Sequence, residues 1–240
     1  MENQFTRFEM LIWEESISTL KNKKVAIFGL GGVGGNVCDA LARSGISNFV
    51  LIDHDVVSIS NINRQLIANH DNIGRFKVDV MEEHLKKINP EAKIEQINTF
   101  YLPENASQFD FSNYDYVVDA IDTVSAKIDI IERCIIAHTP IISALGCGNK
   151  INPTMLEVSD ISKTSYDPLA KVLRRELKKR GINHLKVVYS KEQPLPLQFE
   201  VDNGDSKKHV PGSSAFVPPA AGIIIASEVV KDLLNLNKKN

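Results

Sequence analysis

Cysteine is scarce in this chain: Cys38, Cys134 and Cys147 are the only three in 240 residues. An odd, widely spaced set cannot build a disulfide framework, and reduced thiols in a cytosol fit it better. No two stand as Cys-x-x-Cys, so a four-thiolate zinc knuckle cannot be assembled and no zinc is expected. A large excess of either charge is missing as well. A net charge of -2 excludes a chain that is basic throughout, so nothing global announces a nucleic-acid binder. Long apolar runs are absent too. The longest, "AFVPPAAGIIIASEVV", falls short of the roughly 20 residues of a membrane span and contains Pro218 and Pro219. The opening "MENQFTRFEMLIWEE" mixes acids among its apolar residues and does not read as a secretion signal. The expectation is a soluble, cytoplasmic protein with no membrane contact.

What is present reads as alternating units. "KVAIFG", "NFVLID", "YVVDA" and "PIISALG" are short apolar runs, with "KIEQIN" a weaker one. Between them lie helical patterns from about Gly32 to Arg43, from about Gly74 to Ile88, and through "SAKIDIIERCIIAH". Apolar strands separated by helices predict an α/β fold: a Rossmann-like, mostly parallel sheet with helices on both faces. From Ile151 the rhythm changes to a strand "TMLEVSD", a charged helix "DPLAKVLRRELKKRG", a strand "LKVVYS" and a closing helix "AAGIIIASEVVKDLLNL". The segment 191–214 is rich in Pro, Gly and charge, and reads as a mobile loop. One domain over 1–240 is expected, with a nucleotide-binding core over 1–150. Residues 151–240 look too few for a core of their own and should pack on the first part as a small C-terminal extension.

"VAIFGLGGVGGNV", residues 25–37, sets a glycine turn between a strand and a helix. Gly29, Gly31 and Gly34 match G-x-G-x-x-G, which supplies a tight turn, close approach of backbone to phosphate, and close packing of helix on strand. The helix N-terminus then offers free N–H groups to an anion. Asp53 ends the second strand where a carboxylate can bind a ribose hydroxyl. Alone, this pattern says dinucleotide, with NAD as the default. The following residues argue for a triphosphate instead. Asn61 and Arg64 in "NINRQ", with Lys77 at the start of a helix, bring an amide and two cations to one phosphate region, whereas nicotinamide needs an apolar slot. "YVVDAID" adds Asp119 and Asp122. A carboxylate beside a triphosphate implies Mg²⁺, with Asp122 as the ligand and Asp119 as a structural cap.

These residues carry a resemblance. "GLGGVGGNVCDALARSGISNFVLIDHDVVSISNINRQ", the Lys77 helix and "VVDAID" resemble the adenylating domain shared by ubiquitin-activating enzymes and their bacterial relatives. "INPTMLEVSDISKTSYDPLAKVLRRELKKRGI" and "VVYSKEQPL" resemble, within it, the tRNA threonylcarbamoyladenosine dehydratases. The resemblance covers nearly the whole chain from about Phe5. It implies an ATP site on Gly29, Gly31, Gly32, Gly34, Asp53, Asp55, Asn61, Arg64, Lys77 and Asp122. Arg64, Lys77 and Asp122 would be catalytic, with Mg²⁺ on Asp122. Arg7 matches an arginine that in relatives reaches the phosphates of the partner subunit's site, which implies a homodimer.

The activity the resemblance implies is ATP-dependent adenylation of the threonyl carboxylate of a modified adenosine in tRNA, followed by ring closure. The alternative is adenylation of the C-terminal carboxylate of a small ubiquitin-like sulfur carrier. Relatives of that kind often hold zinc in paired Cys-x-x-Cys motifs, absent here. NAD-dependent redox chemistry and a non-enzymatic nucleotide sensor are further readings, and a sulfur-transfer protein stays open as an assisting partner. Cys147 in "LGCGNK" invites a thioester role, against which stands a small glycine-flanked thiol with none; Cys38 and Cys134 fall in helical patterns as core. Between Lys163 and Lys191 stand nine Lys or Arg against two acids, Asp167 and Glu176. Arg174, Arg175, Lys178 and Lys179 on that helix are the candidate tRNA contacts.

Overall fold

A computed structural model of the chain describes residues 2–200 and 210–236. The first two elements are the short helices α1 (Thr6–Ile12) and α2 (Glu14–Lys21). Neither is announced by the sequence pattern, because two turns are too few for a 3.6-residue period to stand out. The alternation then begins: β1 (Lys24–Phe28), α3 (Gly34–Arg43), β2 (Asn48–Ile52), α4 (Lys77–Ile88), β3 (Lys93–Ile97), β4 (Tyr116–Asp119), α5 (Val124–Ile136) and β5 (Ile141–Ala144). The second half adds β6 (Leu156–Asp160), α6 (Pro168–Lys179), β7 (Lys186–Ser190) and α7 (Val217–Leu233). All seven strands form one sheet in the order β3-β2-β1-β4-β5-β7-β6. Every neighbouring pair is parallel except β6 on β7, where Val158 faces Val188 across an antiparallel edge. The C-terminal part thus extends the sheet through β7, with Val187 beside Ser143 of β5.

Strand alternation explains why both faces are covered. Val25 and Ile27 of β1, with Phe49 and Leu51 of β2, point into a core shared with Val37 and Leu41 of α3, Leu85 of α4 and Ile225 and Val229 of α7. Ala26, Phe28, Val50 and Ile52 point the other way, onto Phe109, Phe111 and the Ile130 side of α5. α6 packs beside them through Ala170, Leu173 and Leu177. Helix starts depart slightly from the sequence expectation for local reasons. α4 begins at Lys77 because Gly74 sits at φ +85° and its N–H bonds to the carbonyl of Val57. α7 begins at Val217 because Pro218 and Pro219 fit a first helical turn, where no N–H is needed.

One buried ion pair fixes how β4 ends. Asp119 and Lys127 of α5 are both fully buried, with the ammonium 2.9 and 2.8 Å from the two carboxylate oxygens. The Ser143 hydroxyl donates to the same carboxylate. Asp119 is therefore the structural cap that the sequence suggests, and it sets the path of residues 120–123, Asp122 among them. Removing one partner strands a buried charge. Lys127→Met should cost about 3–5 kcal/mol in denaturant unfolding, and the double change with Asp119→Leu should recover most of it. A single variant of wild-type stability would show that the pair does not hold the strand end.

Candidate active site

The carboxyl ends of β1, β2 and β4 meet at the glycine turn, where the N–H of Gly29 bonds to the carbonyl of Ile52 and the N–H of Ala120 to that of Phe28. Gly29 stands at φ +92°, and a Cβ there would lie 2.8 Å from the carbonyl oxygen of Ala120. A Cβ on Gly34 would overlap the carbonyl oxygen of Gly29 outright. Gly31 and Gly32 leave bare backbone between them, with Gly32 packed against Pro218 and the stem of Arg64. α3 starts directly behind, with no side chain capping its first N–H groups. Free donors in a tight cradle suit an anion.

Asp53 organises the second strand end. Its carboxylate accepts from the N–H of Leu30 at 2.6 Å and of Asp55 at 2.8 Å. It remains half-exposed, with lone pairs left for a ribose hydroxyl. Lys77 is only 4% exposed and holds Asp55 at 2.7 Å, so its charge is already engaged. Asn61 is buried, and its side-chain oxygen accepts from the N–H of Ser58 at 3.1 Å. Arg64 donates to the carbonyl of Ser60 at 2.8 Å and to Asn63 at 2.9 Å. Burial lowers the pKa of its guanidinium, and the negative charge of Asp122 works against that shift. Asp122 itself is exposed and accepts no hydrogen bond among the described residues. A single exposed carboxylate facing a cationic cradle suits a hard cation that takes its other ligands from phosphate and water.

Two further features escape the sequence pattern. Gln65 is 6% exposed, its amide nitrogen is the nearest neighbour of Gly31, and its side-chain oxygen has no partner. Its signal is its place directly after Arg64. Asn149 sits at φ +58° and bonds both flanks of the 191–214 segment, through the N–H of Leu195 and of Gly212, each at 2.7 Å. "GN" is a turn signal, and Asn is among the few side chains that adopt this conformation readily. Asn63 also donates to the carbonyl of Ser213 at 2.9 Å, so the described end of that segment runs beside the loop that carries Asn61 and Arg64. The expected mobility of residues 201–209 lies outside the described residues.

The fold does not bring Arg7 to this cradle. Gln4 and Phe5 share a recess with Arg43, His84 and Lys87, at the C-terminal ends of α3 and α4. The glycine turn lies at the other end of α3, about 15 Å away by helical rise. The basic helix also needs a correction, since α6 does not present all four of its candidates outwards. Arg174 is half-buried and donates to the carbonyl and hydroxyl of Thr164, because its position borders the apolar face of Ala170, Leu173 and Leu177. Arg175 and Lys179 are exposed but share Glu176 at 3.0 and 2.9 Å, exposed contacts that a phosphate can displace. Lys178 is exposed and unpaired among the described residues.

The model of the ThiF family matches residues 5–240. The chain is 43% identical to a tRNA threonylcarbamoyladenosine dehydratase of Bacillus subtilis, over 98% of this chain and 96% of that one. Its counterpart from Haemophilus influenzae is 41% identical over 74% of this chain and 68% of that one. The crystal structure of E. coli tRNA N6-threonylcarbamoyladenosine dehydratase with AMP superposes with a TM-score of 0.88 at 32% identity, covering 99% of this chain and 96% of that one. The same E. coli protein with ATP gives 0.87.

Cys147 is the remaining sequence candidate. It sits in the loop after β5, and its pKa is pushed up to about 12, chiefly by burial, with the nearby charge of Lys150 pulling the other way. Cys38 and Cys134 lie fully in the core. A raised pKa means that the reactive thiolate appears only as pH climbs towards that value. Iodoacetamide labelling at pH 7.5 should therefore run at least about 10²-fold slower than for a free thiol, rising tenfold per pH unit. Fast labelling of Cys147 at neutral pH would show an activated nucleophile instead.

Proposed function

The chain belongs to the ThiF family, and from that membership we propose that it is an ATP-dependent tRNA threonylcarbamoyladenosine dehydratase. What carries the reading is the bare glycine turn with Arg64 packed against it, in a chain matched over 98% of its length by the Bacillus subtilis dehydratase. The substrate is the threonyl carboxylate of N6-threonylcarbamoyladenosine in tRNA. A carboxylate is a poor electrophile because its leaving group would be oxide. One of its oxygens attacks the α-phosphorus of ATP, and pyrophosphate leaves. The substrate's own carbamoyl group then attacks the activated carbonyl carbon, closing a ring and expelling AMP, so no protein thiol is needed. Nothing in this route consumes sulfur, so a sulfur-transfer partner would assist without supplying an atom.

The protein's part is placement and charge. The turn at Gly31 and Gly32 and the start of α3 cradle phosphate, while Asp53 holds the ribose. Arg64 and Lys77 meet the charge that develops as pyrophosphate departs, with Lys77 handed over from Asp55. Asp122 would hold Mg²⁺, which when bound neutralises phosphate oxygens. Arg7, remote from its own cradle, serves the partner subunit's site in a homodimer. Met10, Leu11 and Trp13 beside it are 76%, 78% and 79% exposed, an apolar surface that a second copy would cover. Arg175, Lys178 and Lys179 take RNA phosphates. Free thiols and the lack of any described helix able to cross a membrane fit a cytoplasmic enzyme.

Pyrophosphate release from ATP should depend on tRNA carrying the modification, and unmodified tRNA should give only background. Arg64→Ala should lower that rate by about 10²- to 10³-fold with ATP still bound. An unchanged rate would mean that the loop is misread. Cys147→Ala should keep most of the activity; a folded but inactive variant would revive the thioester. Sedimentation should give a dimer at micromolar concentration, and a monomer there would remove the role of Arg7.

A further inference from the structure

We propose that Tyr166 is a stacking platform for an unpaired base of the RNA substrate, close to the reacting nucleotide. The inference rests on the tRNA reading above and adds a binding residue to it. Tyr166 stands at φ +57°, in the left-handed region that a bulky side chain occupies only when its surroundings impose it. Both sides of it are pinned. Thr164 is buried, its hydroxyl donates to the carbonyl of Ile161 at 2.8 Å, and its own carbonyl accepts from Arg174 at 2.9 Å. Asp167 is buried, caps α6 through the N–H of Ala170 at 2.9 Å, and accepts from the N–H of Gly146 at 3.1 Å. Lys150 lies 3.5 Å from the same carboxylate.

Between these fixed points the ring of Tyr166 is 65% exposed, and its hydroxyl has no partner among the described residues. The fold bends the backbone unfavourably and gains no burial of the ring in return. The ring's position gives the arrangement a use. Gly146, held by Asp167, lies in the loop after β5 at the carboxyl edge of the sheet, where the nucleotide cradle also opens. Lys163 and Lys171, on either side in sequence, and Lys178 further along are exposed and unpaired among the described residues. An exposed aromatic face among free lysines is the combination that receives single-stranded RNA, the ring taking a base and the lysines taking phosphates. An extended glycine-rich tail carries no aromatic base to lay on the ring.

Tyr166→Gly removes the ring and relieves the backbone, so the variant should fold with a melting temperature within a few degrees of wild type. The KM for modified tRNA should rise about tenfold, the scale for losing one stacked base, while kcat and the KM for ATP hold. Tyr166→Phe and Tyr166→Trp should restore it. Because stacking is not ionic, the salt dependence of tRNA binding should keep its slope in Tyr166→Gly. Lys163→Gln or Lys171→Gln should each lower that slope by about 0.7 to 0.9. An unchanged KM in Tyr166→Gly, or failure of Tyr166→Phe to rescue, overturns the proposal while leaving the dehydratase reading intact. A wild-type enzyme that forms no AMP on modified tRNA overturns both.

Discussion

α3 can start against the end of β1 only because Gly34 carries no side chain; a Cβ there would overlap the carbonyl oxygen of Gly29. That single approach sets where the first free N–H groups of α3 point, and so where a phosphate can lie. Asp53 ties the turn to the second strand through the N–H of Leu30, and Gly32 leaves room for Arg64 and Pro218 to close in. The cradle is built almost wholly from backbone. The triphosphate preference proposed above rests on side chains of the following loop, Asn61 and Arg64 among them.

Two buried ion pairs do the corresponding work on the other side of the sheet. Asp119 with Lys127 fixes the exit of β4, and Lys150 with Asp167 joins the loop after β5 to the start of α6. The proposed route gives neither pair a chemical step. Their value is registration, since a buried charge tolerates few alternative partners and so fixes its loop in one place. The second pair also links the basic helix to the carboxyl edge of the sheet, so an RNA on α6, as proposed, would be held in a fixed relation to the nucleotide.

Much of this was legible in the sequence because it depends on local pattern. Apolar runs separated by helical periods specify a covered parallel sheet, and Gly29, Gly31 and Gly34 specify the turn irrespective of distant contacts. Features set by tertiary packing were not legible. The antiparallel direction of β6 depends on how the chain returns after residue 151, which no short-range signal encodes. Arg174 and Arg175 read alike as neighbours in a charged run, and only the packing of Leu173 and Leu177 turns the first inwards to Thr164. The engagement of Lys77 by Asp55, 22 residues earlier, likewise appears only when α4 folds back on the loop. The part proposed for Arg7 rests on the resemblance, since no local pattern around it signals a phosphate contact.

In the proposed route the substrate's carboxylate oxygen bonds to the α-phosphorus and leaves with it when the ring closes. Oxygen-18 in the threonyl carboxylate of the modified tRNA tests this directly, with mass spectrometry of both products. The account predicts that one labelled oxygen appears in AMP and that the tRNA nucleoside is lighter by one water. Unlabelled AMP formed alongside cyclised tRNA would contradict it, because the carboxylate would then have been activated some other way.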